Sequence, residues 1–435
     1  METAKVAIVG LGTIGSGVAR LLLESPDRIA RHVGRPVELA CVVDKDLERP
    51  RNITLPKGLL TDNLGRVLDD PKISAVIQLI GGTEPARSVM LQLLESGKDI
   101  ITANKALLAN HGPELFERAR QLGRSIAFEA SVAGGIPVIT GIGQCLTANA
   151  IQSIHGILNG TSNFILTQME EHGSDYAATV AEAQKRGYAE ADPSMDVDGT
   201  DAAQKLAILA QLAFGAGICW KDIPRTGIEN LDVADLRFAK ELGYSIKLLA
   251  VAELVPAGLE LYVSPTLVRH GTPLAEVREA YNALRVVGSA VGKLFFQGLG
   301  AGQDPTASAV VADLIDTLVG RTAITFRALK LWSADREAPV SVRDPAKIPG
   351  RFYLRFLVED RCGVLASIAG VLGKHDVSIA SVIQHEIKNS KKEDGIVPLV
   401  IMTHSAPEGA VIEAVEEIGR LPVVRPGSLR LRVRG

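Results

Sequence analysis

The segment Asp201–Phe214 reads DAAQKLAILAQLAF, an almost wholly apolar run broken by Asp201, Gln204, Lys205 and Gln211. At about 100° per residue these four share one helical stripe roughly 120° wide, with Asp201 one turn N-terminal to Lys205, the favourable order for an i,i+4 pair. On a surface helix this would be an ordinary ion pair. On a helix this apolar, burial makes an unmatched charge costly, so the stripe is expected to wall a polar pocket. Just upstream, Gly187-Tyr188-Ala189-Glu190-Ala191-Asp192-Pro193 continues through Asp196 and Asp198 as an acidic, turn-rich loop. A lysine braced by a carboxylate can polarise a carbonyl and deliver a proton to its oxygen while a hydride reaches the carbon. Glu190 and Asp201 also suit a substrate ammonium group. Aldehyde–alcohol chemistry on a small amino-acid-like substrate follows, with Lys205, Asp201 and Glu190 as its side chains.

A hydride needs a carrier, and the N-terminus offers a site for one. Gly10-Leu11-Gly12-Thr13-Ile14-Gly15 follows a strand-like run directly and opens a helix. In that setting Gly10 makes the tight turn, Gly12 lets backbone approach a pyrophosphate, Gly15 lets helix and strand pack, and the first helical N–H groups, from Thr13 and Ile14 onward, face the anion. Asp44 ends the second strand, where a carboxylate would bond the adenosine ribose and favour NAD; Lys45, Arg49 and Arg51 follow and could accept NADP. Both cofactors stay open. Thr102-Ala103-Asn104-Lys105-Ala106 ends a later strand, so Lys105 can face nicotinamide and substrate at the ligand-binding edge of a parallel sheet.

These residues need a scaffold. Val6–Val9, Val37–Val43, Ala75–Leu79, Asp99–Thr102 and Ser125–Phe128 are short apolar runs, interleaved with helical patterns at Ile14–Glu24, Pro85–Glu95 and Pro113–Leu122. The alternation predicts an α/β, Rossmann-type, doubly wound parallel sheet over residues 1–130. Residues 131–334 lose that rhythm and read as an α+β substrate and oligomerisation domain. Residues 335–351, with Pro339, Pro345 and Pro349, read as a linker. Residues 352–435 give strand, helix, strand, strand, helix, strand, the ferredoxin-like βαββαβ order. None of the catalytic motifs falls in this tail, which is expected to be self-contained and removable.

The 435 residues are 46% hydrophobic and 22% charged, with a net charge of -3 and no long basic run, which argues against nucleic acid or an anionic membrane as partner. Cys41, Cys145, Cys219 and Cys362 lie far apart, as suits a reducing compartment rather than a disulfide framework. No apolar run approaches the roughly 20 residues of a membrane span, and a strand starts too early for a signal peptide. A soluble, cytoplasmic protein is expected.

TANKALLA (102–109), FEASVAGGIP (128–137), GILNGTSNFIL (156–166), GYAEADPSMDVDGTDAAQKLAIL (187–209) and GAGQDPTASAVVADL (300–314) together resemble the homoserine dehydrogenases, and the tail resembles an ACT domain. The resemblance implies NAD(P)-dependent interconversion of L-homoserine and L-aspartate 4-semialdehyde, on the route to threonine, methionine and isoleucine. It implies Lys205 as proton donor, Glu190 and Asp201 as homoserine ligands, and Lys105, Gly187 and Gly302 as cofactor contacts. Gly302 precedes Asp304-Pro305, read as a helix N-cap and its first residue. Asn159 and Thr161 resemble pocket-lining residues. The turn at Glu129–Ile136 resembles a sodium site formed by the carbonyls of Glu129, Val132, Gly134 and Ile136. A homodimer or homotetramer and a tail that senses threonine complete the expectation.

Overall fold

The runs AKVAIV, VELACVV, ISAVIQ and DIIT carry apolar side chains on both faces, and each becomes a strand of a wholly parallel sheet. The computed structural model describes residues 2–333, 340–385 and 395–434. Ala4–Val9 (β1), Val37–Val43 (β2), Leu60–Thr61 (β3), Ile73–Gln78 (β4), Asp99–Thr102 (β5) and Ile126–Ala127 (β6) take the order β3-β2-β1-β4-β5-β6. This is the doubly wound Rossmann order, whose switch point opens a crevice at the carboxyl ends of β1 and β4. The sheet belongs to the first of two units, built from Met1–Gln152, Ala203–Ile223 and Asn282–Val340.

Val6, Ile8, Val18, Ala19, Leu22, Val42 and Ile77 form the core of that unit together with Ala307, Val310 and Leu314 of a helix distant in sequence. Each large apolar side chain so buried contributes roughly 1.5–3 kcal/mol. That helix, Gln303–Leu318, lies so close to Thr13–Glu24 that a Cβ on Gly17 would be 2.8 Å from Gln303 Cγ. It starts at Gln303 with Gly302 as N-cap, so Asp304 is not the cap its sequence suggested; its carboxylate pairs with Arg20 instead. A second correction concerns Pro113, which lies inside the helix Lys105–Gln121 rather than at its start. The cap is Asn104, whose side chain accepts the Leu107 N–H. Gly97 and Gly123 do adopt the left-handed conformation expected after helices, with φ of 81° and 65°.

Beyond β6 the strands are Ile151–Ile157 (β7), Tyr244–Val255 (β8), Gly258–Arg269 (β9), Tyr281–Gly288 (β10), Gly292–Leu299 (β11), Pro349–Glu359 (β12), Ile379–Ile383 (β13), Ile396–Thr403 (β14), Ala406–Pro407 (β15) and Val424–Arg434 (β16). The second unit comprises Ser153–Ala202, Pro224–Tyr281 and Ser341–Gly435. Its main sheet runs β7-β8-β9-β16-β12-β14-β13. β8 and β9 pair antiparallel from Tyr244↔Arg269 to Val255↔Gly258. The tail has the expected βαββαβ order, with helices Val364–Lys374 and Glu408–Gly419 over a core of Phe352, Phe356, Ile368, Leu372, Ile401, Val411 and Ile418.

The tail is not the separable bead its composition suggested. β16 pairs in parallel with β9 through Arg432↔Thr266, Val433↔Leu267 and Arg434↔Val268, so one sheet passes from β8 and β9 into the tail. Asp235, wholly buried, receives hydrogen bonds from Tyr353 Oη (2.9 Å) and Arg355 Nε (2.6 Å). Arg434 reaches Glu253 (2.6 Å) and the Tyr262 hydroxyl (3.0 Å). Of the linker expected at 335–351, residues 335–339 lie outside the described residues. The remainder is docked: Leu259 N–H donates to Ser341 O (2.8 Å), Arg343 pairs with Glu260 (2.5 Å), and β12 already begins at Pro349. Proline here ends free backbone donors without freeing the chain.

Candidate active site

Three glycines of the first turn meet different demands. Gly10, at φ 102°, could not carry a Cβ, which would lie 2.8 Å from the Leu79 carbonyl carbon; on Gly15 it would lie 2.2 Å from Gly10 O. Both glycines are therefore needed for the fold itself. A Cβ on Gly12 would meet nothing within 4 Å, which leaves open space in front of the helix N-terminus Thr13–Glu24. Only Gly12 is thus free to serve a ligand, and an anion is the acceptor to which uncapped helical N–H groups donate. Gln303 Nε2 donates to Thr13 O (2.8 Å), tying the helix that follows Gly302 to this turn.

Asp44 stands beside the same turn. Its carboxylate accepts from Leu11 N–H (2.6 Å) and Asp46 N–H (3.0 Å) and lies 3.4 Å from Arg51. Arg51 also donates from Nε to Leu11 O (3.1 Å), so the acid and base meet over the dinucleotide turn. Lys105 opens the helix capped by Asn104, at the carboxyl end of β5.

The turn at Glu129–Ile136 is buried except at Gly135. Ala133 and Gly134 adopt φ of 57° and 54°, and a Cβ on Gly134 would lie 2.6 Å from Gly300 backbone. Glu129 O accepts from Val132 N–H (3.4 Å) and Ile136 O from Val138 N–H (2.8 Å); each keeps a second lone pair. Main-chain carbonyls are hard oxygen donors, the kind a hard cation takes. The Glu129 side chain does something else: its oxygens accept from Ile139 and Thr140 N–H (2.8 Å each), while the Glu129 main-chain N–H donates to Asp313 (2.8 Å). Burial pushes the Glu129 carboxyl up against those bonds, and burial with the Glu129 charge raises Asp313 well above the usual carboxylate range.

In the second unit one amide gathers two acids. Asn159 caps the helix Gly160–His172 by accepting Ser162 N–H (2.8 Å), and its Nδ2 divides its two hydrogens between Asp196 (2.7 Å) and Asp201 (3.0 Å). Thr161 Oγ1 holds the acidic loop by donating to Tyr188 O (2.6 Å), and Gln184 Nε2 donates to the carbonyls of Glu190 and Ala191 (3.2 Å each). Gly187 takes φ 75°, and Glu190 is exposed.

The helix Thr200–Phe214 is buried through its first thirteen residues, with Asp201 5% and Lys205 9% exposed, as its composition required. Gln204 Oε1 is buried with no hydrogen-bond partner among the described residues. The acids of the loop are thus not equivalent: Asp196 is held in the cluster, whereas Asp198 instead caps Thr200 (2.7 Å). Sequence reading treated them alike, because the amide that separates them sits 37 residues from Asp196.

Family comparisons agree along the chain. Residues 10–129 match the family described as homoserine dehydrogenase, NAD binding domain; residues 137–315 match homoserine dehydrogenase; residues 352–420 match the ACT domain. A homoserine dehydrogenase of Synechocystis is 42% identical, over 97% of this chain and 98% of the relative. That of Pseudomonas aeruginosa is 41% identical over 100% and 99%. The crystal structure of a homoserine dehydrogenase from Thiobacillus denitrificans superposes with a TM-score of 0.90 at 39% identity, covering 100% of this chain and 99% of that one. A hyperthermophilic archaeal homoserine dehydrogenase mutant, solved in complex with NADPH, has a TM-score of 0.61 at 25% identity over 72% of this chain and 97% of that one.

Proposed function

The chain belongs to the homoserine dehydrogenase family, and from that premise we propose how its side chains share the interconversion of L-homoserine and L-aspartate 4-semialdehyde. Bound NAD(P) supplies the hydride acceptor and donor. Lys205 Nζ takes the hydroxyl proton during oxidation and returns it during reduction, assistance of the kind that contributes about 10²–10⁴-fold. Asp201, one helical turn away, and Glu190 receive the substrate ammonium, and Asn159 holds Asp201 in place. Asp196 joins that anionic wall through the same amide. Lys105 faces the cofactor and substrate, Gly187 and Gly302 line the cofactor, and Thr161 holds the loop that bears Glu190.

The observation that carries this reading is the buried Asp201–Lys205 helix with Asn159 bridging Asp201 and Asp196. Its test is homoserine-dependent NAD(P)H formation by the purified protein with each cofactor. Absence of turnover with both would refute it. A protein that binds cofactor and threonine but shows no homoserine turnover would instead be a sensor.

Finer features belong to the same proposal. Asp44 at the dinucleotide turn favours NAD over NADP by repelling a 2′-phosphate. The carbonyls of Glu129, Val132, Gly134 and Ile136 hold a sodium ion. Threonine acts at the tail, at the turn Glu359–Val364 and the segment Asp376–Ile379, by favouring a less active arrangement. The helix N-terminus at Val364 offers N–H groups to its carboxylate. The enzyme works in the cytoplasm as a homodimer or homotetramer. No helix among the described residues is long and apolar enough to cross a membrane.

A further inference from the structure

A chain of side-chain hydrogen bonds crosses the carboxyl ends of β4 and β5. Gln78, wholly buried, donates from Nε2 to Ala86 O (3.2 Å) and accepts at Oε1 from Thr102 Oγ1 (3.3 Å). Thr102 Oγ1, also wholly buried, accepts the Asn104 N–H (3.1 Å). The Asn104 side chain then works in two directions. Its Nδ2 donates to the carbonyls of Ile80 (2.9 Å) and Gly82 (2.7 Å), and its Oδ1 accepts the Leu107 N–H (2.9 Å).

Capping alone does not require asparagine, since serine or aspartate caps a helix about as well. Neither can donate twice to carbonyls two residues apart. The amide is therefore dictated by the clamp on Ile80-Gly81-Gly82. That segment follows β4 at the switch-point edge, where an open α/β sheet takes its ligand. A Cβ on Gly81 or Gly82 would meet nothing within 4 Å, so its outer face is open, while Gly10 packs against Leu79 immediately before it.

We propose that Asn104 is a positioning residue for hydride transfer: it fixes the cofactor-side loop Ile80–Gly82 against the first turn of the helix that carries Lys105. The inference rests on the assignment of Lys105 to the cofactor and substrate. Without the two donated bonds the loop and the Lys105 turn move independently, and the reacting carbons lose their register. A misplacement on the order of 1 Å at a reacting centre costs about 10²-fold in rate.

The experiment uses Asn104→Ser and Asn104→Asp in the full-length enzyme, both of which keep the cap and lose the clamp. Turnover is measured with homoserine deuterated at C4, beside melting temperature. The expected result is a fall in kcat of about 10- to 100-fold and a deuterium isotope effect larger than that of the unaltered enzyme, because hydride transfer becomes slower than product release. A role confined to stability lowers kcat only by reducing the folded fraction and leaves the isotope effect unchanged; that result, or unchanged kcat in both variants, overturns the proposal. Lys105→Ala separates the two layers. If it also leaves kcat and the KM for NAD untouched, the Lys105 assignment fails; if it damages either while the Asn104 variants do not, only the positioning claim fails.

Discussion

The dinucleotide turn and the tail are held by opposite means. Around Gly10–Gly15 the recognition elements are backbone groups, and the residues that permit them lie within six positions of one another. The tail is joined through side chains and strand edges far apart in sequence: Tyr353 and Arg355 on Asp235, Arg434 on Glu253, and β16 along β9. Backbone recognition is written locally because glycine content and helix start coincide with the contact. A sheet joined edge to edge leaves no local mark, since each strand reads the same whether it is an edge or an interior strand. The second kind of joint also places the tail in the sheet that contains β7, whose end leads into Asn159.

The largest expected effect is on the joint. A chain ending at Gly350 strips β16 from β9 and leaves Asp235 without Tyr353 and Arg355, so it should fail to accumulate as a soluble, cooperatively melting protein. Asp235→Ala in the full chain is the milder form: it leaves the buried Arg355 guanidinium unmatched, at a cost of about 3–5 kcal/mol by equilibrium denaturation. An active, stable truncated enzyme would return the tail to the status of a bead, and its response to threonine would then report on the effector alone.

Next come the glycines. Gly15→Ala drives a methyl group to within 2.2 Å of Gly10 O and should cost about 1–3 kcal/mol of stability. Gly12→Ala should leave the melting temperature near that of the unaltered protein and raise the KM for cofactor. Equal melting losses in both would show that Gly12 also serves the fold.

Lys247 probes the second unit away from any motif. It is wholly buried, and its Nζ donates to Val277 O (2.5 Å). Burial, aided by Arg278 and opposed by Glu170, Glu276 and Glu171, lowers its amine from 10.5 to about 8. Between those values the unfolded chain binds more protons than the folded one, so stability rises with pH through the window and is lowest below about pH 8. Lys247→Met should remove that rise, seen as the difference between two denaturation series from about pH 7 to 10. A slope identical in both proteins would place the titrating group elsewhere.

The smallest effect concerns Asp44. Asp44→Ser should shift the kcat/KM ratio toward NADP, leaving Arg51 free to meet the 2′-phosphate. A shift toward NAD would mean that Arg51, or Lys45 or Arg49 beside it, already sets the preference.

The sequence was most legible where one residue type has one use. Val37–Val43 and Asp99–Thr102 begin and end where their composition predicts. The stripe Asp201, Gln204, Lys205 and Gln211 is buried because the rest of its helix is apolar. Pro113 misled, since proline favours a first helical position yet is accommodated inside Lys105–Gln121. The strands β8 and β9 leave no alternation to read, because both of their faces are buried. Asp196 could not be told from Asp198 without knowing which one Asn159 reaches.

The central claim is that Lys205, carried on a buried helix, moves the proton while the rest of the site holds its reactants. The direct measurement is kcat for homoserine oxidation by Lys205→Met beside NADH binding followed by fluorescence. Turnover lower by about 10²–10⁴-fold with cofactor affinity unchanged is the expected result; turnover near that of the unaltered enzyme would contradict it.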